Sequence, residues 1–395
     1  MDTTEQYDFD TLISRENTNS VKWDFIPVDD EGANKDLLPL WIADMDFICA
    51  TPILEAMRTR LDQGIFGYSM PYTDQYLEAV TGWFSRRSGW NIKKESVVVS
   101  PGIVPALGIL IRALTKTGEG IIIQPPVYYP FGKMITNNGR TVVNNPLVNA
   151  EGIYTMDFND LEEKAKDSKN TMMVLCNPHN PVGRVWTPEE LSTVIDICLR
   201  HDVQLISDDI HCDLIRENSQ YTPVSTLNDD ERIITCTAAS KTFNLAGLQI
   251  SNTIINSKKI RKLWEDDALG RCGLYGANPL GIVATQAAYT AGEPWLEQVN
   301  AYIAANLEFV SKFVSEHFPK ARYWFPEGTY FAWIDFRNYG YSDNQLEEVM
   351  IKKARVALDE GYIFGKEGCG FERINVACPR SILRDCLERM ASAIS

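Results

Sequence analysis

The sequence predicts an α/β fold: a mostly parallel central sheet with helices on both faces, in a large domain over residues 48–290. A smaller α+β domain is expected from residues 1–47 together with 291–395. Three observations carry this. The middle of the chain alternates short β-branched runs with helical patterns, the mark of βαβ units. Proline follows two of those runs directly, at Pro101 and Pro125. The C-terminal flank instead pairs a long amphipathic pattern with aromatic, strand-like segments.

In order along the chain, "ESVVVS" (95–100) reads as a strand, and Pro101-Gly102 opens an apolar helix, "IVPALGILIRAL". "GIIIQ" (120–124) is a second strand, broken by Pro125-Pro126 before Val127-Tyr128-Tyr129. "TMMVLC" (171–176) is a third, followed by the loop "NPHNPVGR". Thr187-Pro188-Glu189-Glu190 is a capping box with proline at the first helical position. It starts a helix whose Leu191, Val194, Ile195, Cys198 and Leu199 recur at helical spacing. "VQLISDD" (203–209) and "RIITCTA" (232–238) are further strands, the latter running into Lys241. On the flank, 300–319 is an amphipathic helix, "YWFPEGTYFAWIDF" (323–336) reads as aromatic strands, "RINVA" (373–377) as another, and "SILRDCLERMASAI" (381–394) as a closing helix. A hinge and cleft between the two domains would suit closure on a ligand.

The chain has 395 residues, 45% hydrophobic and 23% charged, an ordinary globular composition with enough length to bury a core around an internal site. A net charge of −15 argues against a nucleic-acid partner, which needs a basic footprint. The acidic start "MDTTEQYDFD" has no apolar core of a signal peptide, and no long apolar run predicts a membrane span. Nine cysteines stand singly, with no C-x-x-C pair. That pattern reads as reduced thiols in a cytoplasmic protein. Four histidines without H-E-x-x-H predict no metal site. G-x-G-x-x-G, Walker A and G-x-S-x-G are all absent, so dinucleotide, nucleoside-triphosphate and serine-hydrolase chemistry lack support.

In an open parallel sheet, ligands bind beyond the carboxyl ends of the strands. Gly102, Tyr128, Asn180, Asp208 and Lys241 all fall at or just after such ends. Taken singly, each has an ordinary role: a solvated lysine, a capping aspartate, a turn asparagine, a packing tyrosine. On one rim they offer more. A desolvated lysine amine forms Schiff bases. A buried aspartate can hold a pyridinium nitrogen protonated, an aromatic ring can cover a flat heterocycle, and a glycine-opened helix start can bind phosphate. These are the needs of pyridoxal 5′-phosphate (PLP), an electron sink for amino-acid chemistry.

The same residues carry a family resemblance. The chain resembles fold-type I pyridoxal-phosphate enzymes, the aspartate aminotransferase superfamily (class I/II). Within it the likeness is to the cystathionine β-lyase/C–S lyase group of MalY/PatB type. The matching stretches are "NTNSVKWD", "PLWIADMDF", "GYS", "SPGIVPAL", "QPPVYYPF", "CNPHNPVGRVWTPEEL", "SDDIHCDL", "ASKTFNLAGL", "PEGTYFAWIDF" and "RINVACPR", between residues 17 and 380. The resemblance implies that Lys241 is the Schiff-base lysine and the base for the Cα proton. Asp208 would pair with the pyridine nitrogen, with His211 beside it, and Asn180 would bond the ring oxygen and help place substrate. Tyr128 would stack on the ring and assist proton transfer. Gly102 and Ile103 would give N–H groups to the phosphate, with Ser240 nearby. Tyr68 would reach phosphate or substrate across a homodimer interface, and Arg373 would clamp the substrate carboxylate bidentately.

Three positions, Gln249, Ala238 and His211, depart from the aminotransferase pattern, and one, Asp209, from the lyase group's own. Gln249 stands where an arginine usually meets the phosphate, Ala238 where serine is frequent, and His211 where aminotransferases carry tyrosine. The lyase group shares that histidine. Asp209 replaces the usual glutamate of "DEIH". The expected reaction is therefore β-elimination from L-cystathionine or a related L-cysteine S-conjugate, giving thiol, pyruvate and ammonia. The alternatives are an aminotransferase on the same scaffold and a regulatory PLP-binding protein.

Overall fold

The computed structural model describes residues 5–26 and 37–394. Seven strands form the central sheet: β1 Val97–Ser100, β2 Gly120–Ile123, β3 Thr141–Asn144, β4 Asn170–Cys176, β5 Gln204–Asp208, β6 Ile233–Thr237 and β7 Ser251–Ile255. Their order is β1-β7-β6-β5-β4-β2-β3. β7 runs antiparallel to both β1 and β6, and the remaining pairings are parallel. The five strands expected from β-branched runs are present; four are shorter by one or two residues, and β4 starts one residue earlier than expected.

Two strands, β3 and β7, carry no clear strand signal in the sequence. β3 is a half-exposed edge strand with little apolar signal. β7 begins Ser251-Asn252-Thr253, a polar run fully buried in the sheet. Its side chains find distant partners: Ser251 Oγ lies 2.8 Å from Ser100 Oγ, and Asn252 Oδ1 accepts from Tyr76 at 2.8 Å. Buried hydroxyls and amides are tolerated when so paired.

Helix α1 (Ile103–Leu114) packs against the sheet with Ile103, Ala106, Leu107, Ile109, Leu110 and Ile111 all buried. Helix α2 (Pro188–Arg200) starts on the expected capping box, with the Thr187 hydroxyl accepting from Glu190 N–H and the Glu190 carboxylate from Thr187 N–H. Helix α3 runs Glu293–His317, 25 residues, so it begins before the expected 300–319. Gly292 and Pro294 set its start, proline fitting the first turn where its missing N–H has no partner to lose.

A second, four-stranded antiparallel sheet comprises β8 Arg322–Tyr323, β9 Phe331–Asp335, β10 Asp359–Glu360 and β11 Phe371–Asn375, in the order β8-β9-β11-β10. Helix α4 (Arg380–Ala393) closes the chain. The N-terminal segment joins this C-terminal part. Leu38–Pro39 pairs in parallel with Val356–Ala357, and Phe9 packs edge-on to Trp295 with ring centres 5.9 Å apart. Segment 41–46 then crosses from the small sheet to the carboxyl end of the large one.

Candidate active site

The strand ends supply the floor of a cavity of about 170 Å³. Tyr128, Asn180, Asp208, His211, Ser240, Lys241, Gly102 and Ile103 all line it. The sequence-derived constellation therefore meets in one place, as the strand-end rule requires.

Lys241 sits on a single helical turn, Ala239–Thr242, immediately after β6. Its Nζ donates to the Ala43 carbonyl at 2.5 Å. Burial lowers its pKa from 10.5 to about 8; the Asp44 and Asp208 carboxylates resist that fall and Arg373 adds to it. An amine near 8 is a usable nucleophile and base at neutral pH.

Asp208 ends β5 and is 4% exposed. Burial pushes its carboxyl up to about 7, opposed by the Ile210 N–H at 3.2 Å and by the Lys241 charge. It is a carboxylate short of partners at the base of the cavity. Asp209 points away. It is fully buried, pushed up to about 8 by desolvation, and accepts from the Ser207 and Tyr221 hydroxyls. Burial drives His211 well below its usual range, so its ring is neutral. The ring lies edge-on to Tyr330 and Phe331, and its Nδ1 has no partner.

Gly102 precedes α1 with φ +141°, in the region that favours glycine. That conformation aims the first N–H groups of α1, which lack intrahelical acceptors, at the cavity wall. Lys241 is the sole cationic side chain among the described lining residues, because Gln249 lines the cavity in place of a second one. Tyr128 follows a cis Pro125–Pro126 bond, and its ring meets Phe131 edge-on at 5.6 Å. Burial raises its phenol, so it stays protonated.

Arg373 does not line the cavity directly but touches it through Asn180. On β11, 2% exposed, it donates Nη1 to Asn180 Oδ1 at 2.9 Å and Nη2 to the Trp41 carbonyl at 3.0 Å. Its guanidinium stacks on Phe331, 4.0 Å from the ring centre. It also pairs with Asp359, its neighbour across the β10–β11 register. Its Nε has no partner. Tyr68 is not brought to the cavity within one chain: it is 91% exposed, with its ring edge-on to Tyr275.

Several site residues were not anticipated. Asp359 gives no local signal, since only strand pairing places it beside Arg373. Ala43 acts through its backbone carbonyl, which no side-chain pattern reports. Tyr330 donates to that same carbonyl at 3.0 Å.

Comparison with known proteins agrees with this geometry. The family model described as "Aminotransferase class I and II" matches residues 35–390. Cystathionine beta-lyase PatB of Bacillus subtilis is 42% identical, covering 98% of this chain and 100% of its own length. Protein MalY of Escherichia coli is 36% identical, covering 98% of this chain and 99% of its own. The crystal structure of cystalysin from Treponema denticola, which contains pyridoxal 5′-phosphate, superposes with a TM-score of 0.95 at 39% identity, covering 98% of this chain and 99% of that one.

Proposed function

The chain belongs to the aminotransferase class I and II family, and on that premise we propose that it is a pyridoxal 5′-phosphate-dependent C–S β-lyase cleaving L-cystathionine or related S-conjugates of L-cysteine. The observation that carries the reading is the meeting of a lysine amine near pKa 8, an under-partnered buried carboxylate and a glycine-opened helix start around one cavity.

The residues fit the cofactor. Lys241 offers the amine for its covalent attachment, and Asp208 would keep the ring nitrogen protonated. Asn180 would bond the ring oxygen, Tyr128 and His211 would flank the ring, and the Gly102–Ile103 N–H groups with Ser240 would hold the phosphate. Bound pyridoxal phosphate supplies the electron sink that stabilises a carbanion at Cα. Arg373 binds the substrate carboxylate, and its stacking on Phe331 and bond to Asn180 fix the plane of that clamp. With the cofactor bound, the Lys241 amine would be the base that takes the Cα proton. The Cβ–S bond then breaks and the thiolate leaves with the electron pair, protonated by Lys241 or Tyr128. Water releases the remaining three-carbon fragment as pyruvate and ammonia.

Gln249 and His211 at the aminotransferase-arginine and -tyrosine positions favour elimination over transamination. An exposed apolar face of Ile65, Phe66, Tyr68, Met70, Tyr72 and Tyr275 favours a homodimer. From that face Tyr68 would reach the other copy's phosphate or substrate. The reading takes 48–290 as the cofactor domain and 1–47 with 291–395 as the smaller one. It places the enzyme in the cytoplasm, in keeping with nine free cysteines. Among the described residues no helix is long and apolar enough to cross a membrane.

The test is product analysis with L-cystathionine and no 2-oxo acid. Equal amounts of pyruvate, ammonia and thiol, abolished in Lys241→Ala, are expected. Turnover only with added 2-oxo acid would overturn the lyase reading in favour of an aminotransferase.

A further inference from the structure

Segment 41–46 has almost no regular structure, yet five consecutive carbonyls in it are held by side chains from elsewhere. Trp41 O accepts from Arg373 at 3.0 Å, and Ile42 O from Asn375 at 2.8 Å. Ala43 O accepts from Lys241 and Tyr330, Asp44 O from Asn375 at 2.6 Å, and Met45 O from Asn244 at 2.8 Å. Asn244 also accepts from Met45 N–H at 2.9 Å, so the turn after Lys241 grips the segment twice.

The segment's own carboxylates are anchored by the N-terminus. Lys22 is fully buried, its Nζ 2.5 Å from Asp46 Oδ2 and 3.8 Å from Asp44 Oδ1. Arg15 takes both oxygens of Asp44, at 3.0 and 2.8 Å, and Asp46 at 2.8 Å. Trp23 Nε1 donates to Asp46 at 3.0 Å. A wholly buried lysine is rare and strongly destabilising unless paired. Lys22, Trp23, Asp44 and Asp46 lie in "NTNSVKWD" and "PLWIADMDF", two stretches to which the reaction gives no role, and Arg15 stands two residues before the first.

We propose that Lys22, Arg15, Asp44 and Asp46 form a charged latch that fixes the Ala43 carbonyl over the Lys241 amine, making them positioning residues for the proton transfers at Cα. A flexible ammonium held by one carbonyl has one direction in which its N–H points. Without the latch the carbonyl is free to drift, and the amine loses both its direction and an acceptor that favours its charged form. The groups facing Lys241 are otherwise Asp44, Asp208, Arg373 and His211, together with the Tyr330 hydroxyl.

The inference rests on Lys241 being the attacking amine, so its test reads that amine apart from lyase turnover. Cofactor-free full-length wild type, Lys22→Met and Lys22→Arg are labelled with an amine-reactive reagent across pH, and the Lys241 peptide is quantified by mass. In Lys22→Met, labelling of Lys241 at pH 7 rises several-fold, because losing a charge-assisted hydrogen bond lowers the amine's pKa. In the holoenzyme its kcat falls about tenfold while KM stays within about twofold, and Lys22→Arg restores most of both. Unchanged labelling and kcat in a folded Lys22→Met protein would overturn the latch and leave a structural ion pair. If Lys22→Met does not fold, Trp23→Phe removes one donor to Asp46 and keeps an aromatic ring at the position. At least a twofold change in the same direction is then expected, and none would overturn the proposal. Absence of any pyruvate from wild type would instead sink the lyase reading and leave the labelling result standing.

Discussion

Replacing Asp208 by asparagine removes one negative charge from the base of the cavity and leaves its shape nearly unchanged. In the cofactor-free protein that charge is held against its solvation: the carboxyl is 4% exposed and pushed from 3.8 up to about 7 by burial. A carboxyl whose folded pKa lies above its unfolded one makes a contribution that is full below pH 3.8 and is lost as pH rises toward 7. The gap corresponds to about 4 kcal/mol at most above pH 7. Asp208→Asn should therefore be more stable than wild type at pH 8 by roughly 2–4 kcal/mol and no more stable at pH 4, where both proteins carry a neutral group. Asp209 titrates in both proteins, so comparing them removes most of its contribution. Function should move the other way. A carboxylate in contact with a ring cation is worth about 5 kcal/mol at an effective dielectric near 20, so lyase turnover should fall by roughly 10³–10⁴-fold. Urea unfolding of the cofactor-free proteins at the two pH values, with pyruvate release by the holoenzymes, measures both. A variant less stable than wild type at pH 8, or one that keeps turnover within tenfold, would refute the reasoning.

Two further outcomes follow from single contacts. Arg373→Lys keeps the charge but loses the planar fork to Asn180 and Trp41 and the stacking on Phe331; at about 1.5–3 kcal/mol for a charged hydrogen bond, KM for the S-conjugate should rise roughly 10–100-fold in steady-state assays while cofactor absorbance persists. Thr187→Ala breaks the capping box of α2, and urea unfolding should show a loss of about 1 kcal/mol with kcat unchanged.

What the sequence made legible follows from where its signals are local. A β-branched run ending at Asp208 or Cys236-Thr237 announces both a strand and the place where its last side chain emerges. The strand-end rule then brings Asp208, Asn180 and Lys241 together without knowledge of any contact. β7 was hidden because its first three residues are polar, and burial of Ser251 and Asn252 becomes tolerable only once Ser100 and Tyr76 stand opposite. Asp359 was hidden for a similar reason, since its neighbour in space lies across a strand pair.

Segment 41–46 shows a different limit. Its pattern was recognisable as a likeness to other proteins, yet no periodicity or turn chemistry explains it, because its conformation is set by Arg15, Lys22, Asn244, Tyr330, Arg373 and Asn375 from five other parts of the chain. The same dependence bears on energetics. Lys241, Asp208 and His211 are each shifted toward their neutral forms by burial around one cavity, so folding places three polar groups where water cannot serve them. A cofactor that bonds covalently to the first and offers a cation to the second relieves that strain in the folded state alone. Ligand stabilisation of the folded state then exceeds what phosphate contacts would give, and the site's instability becomes the source of its affinity.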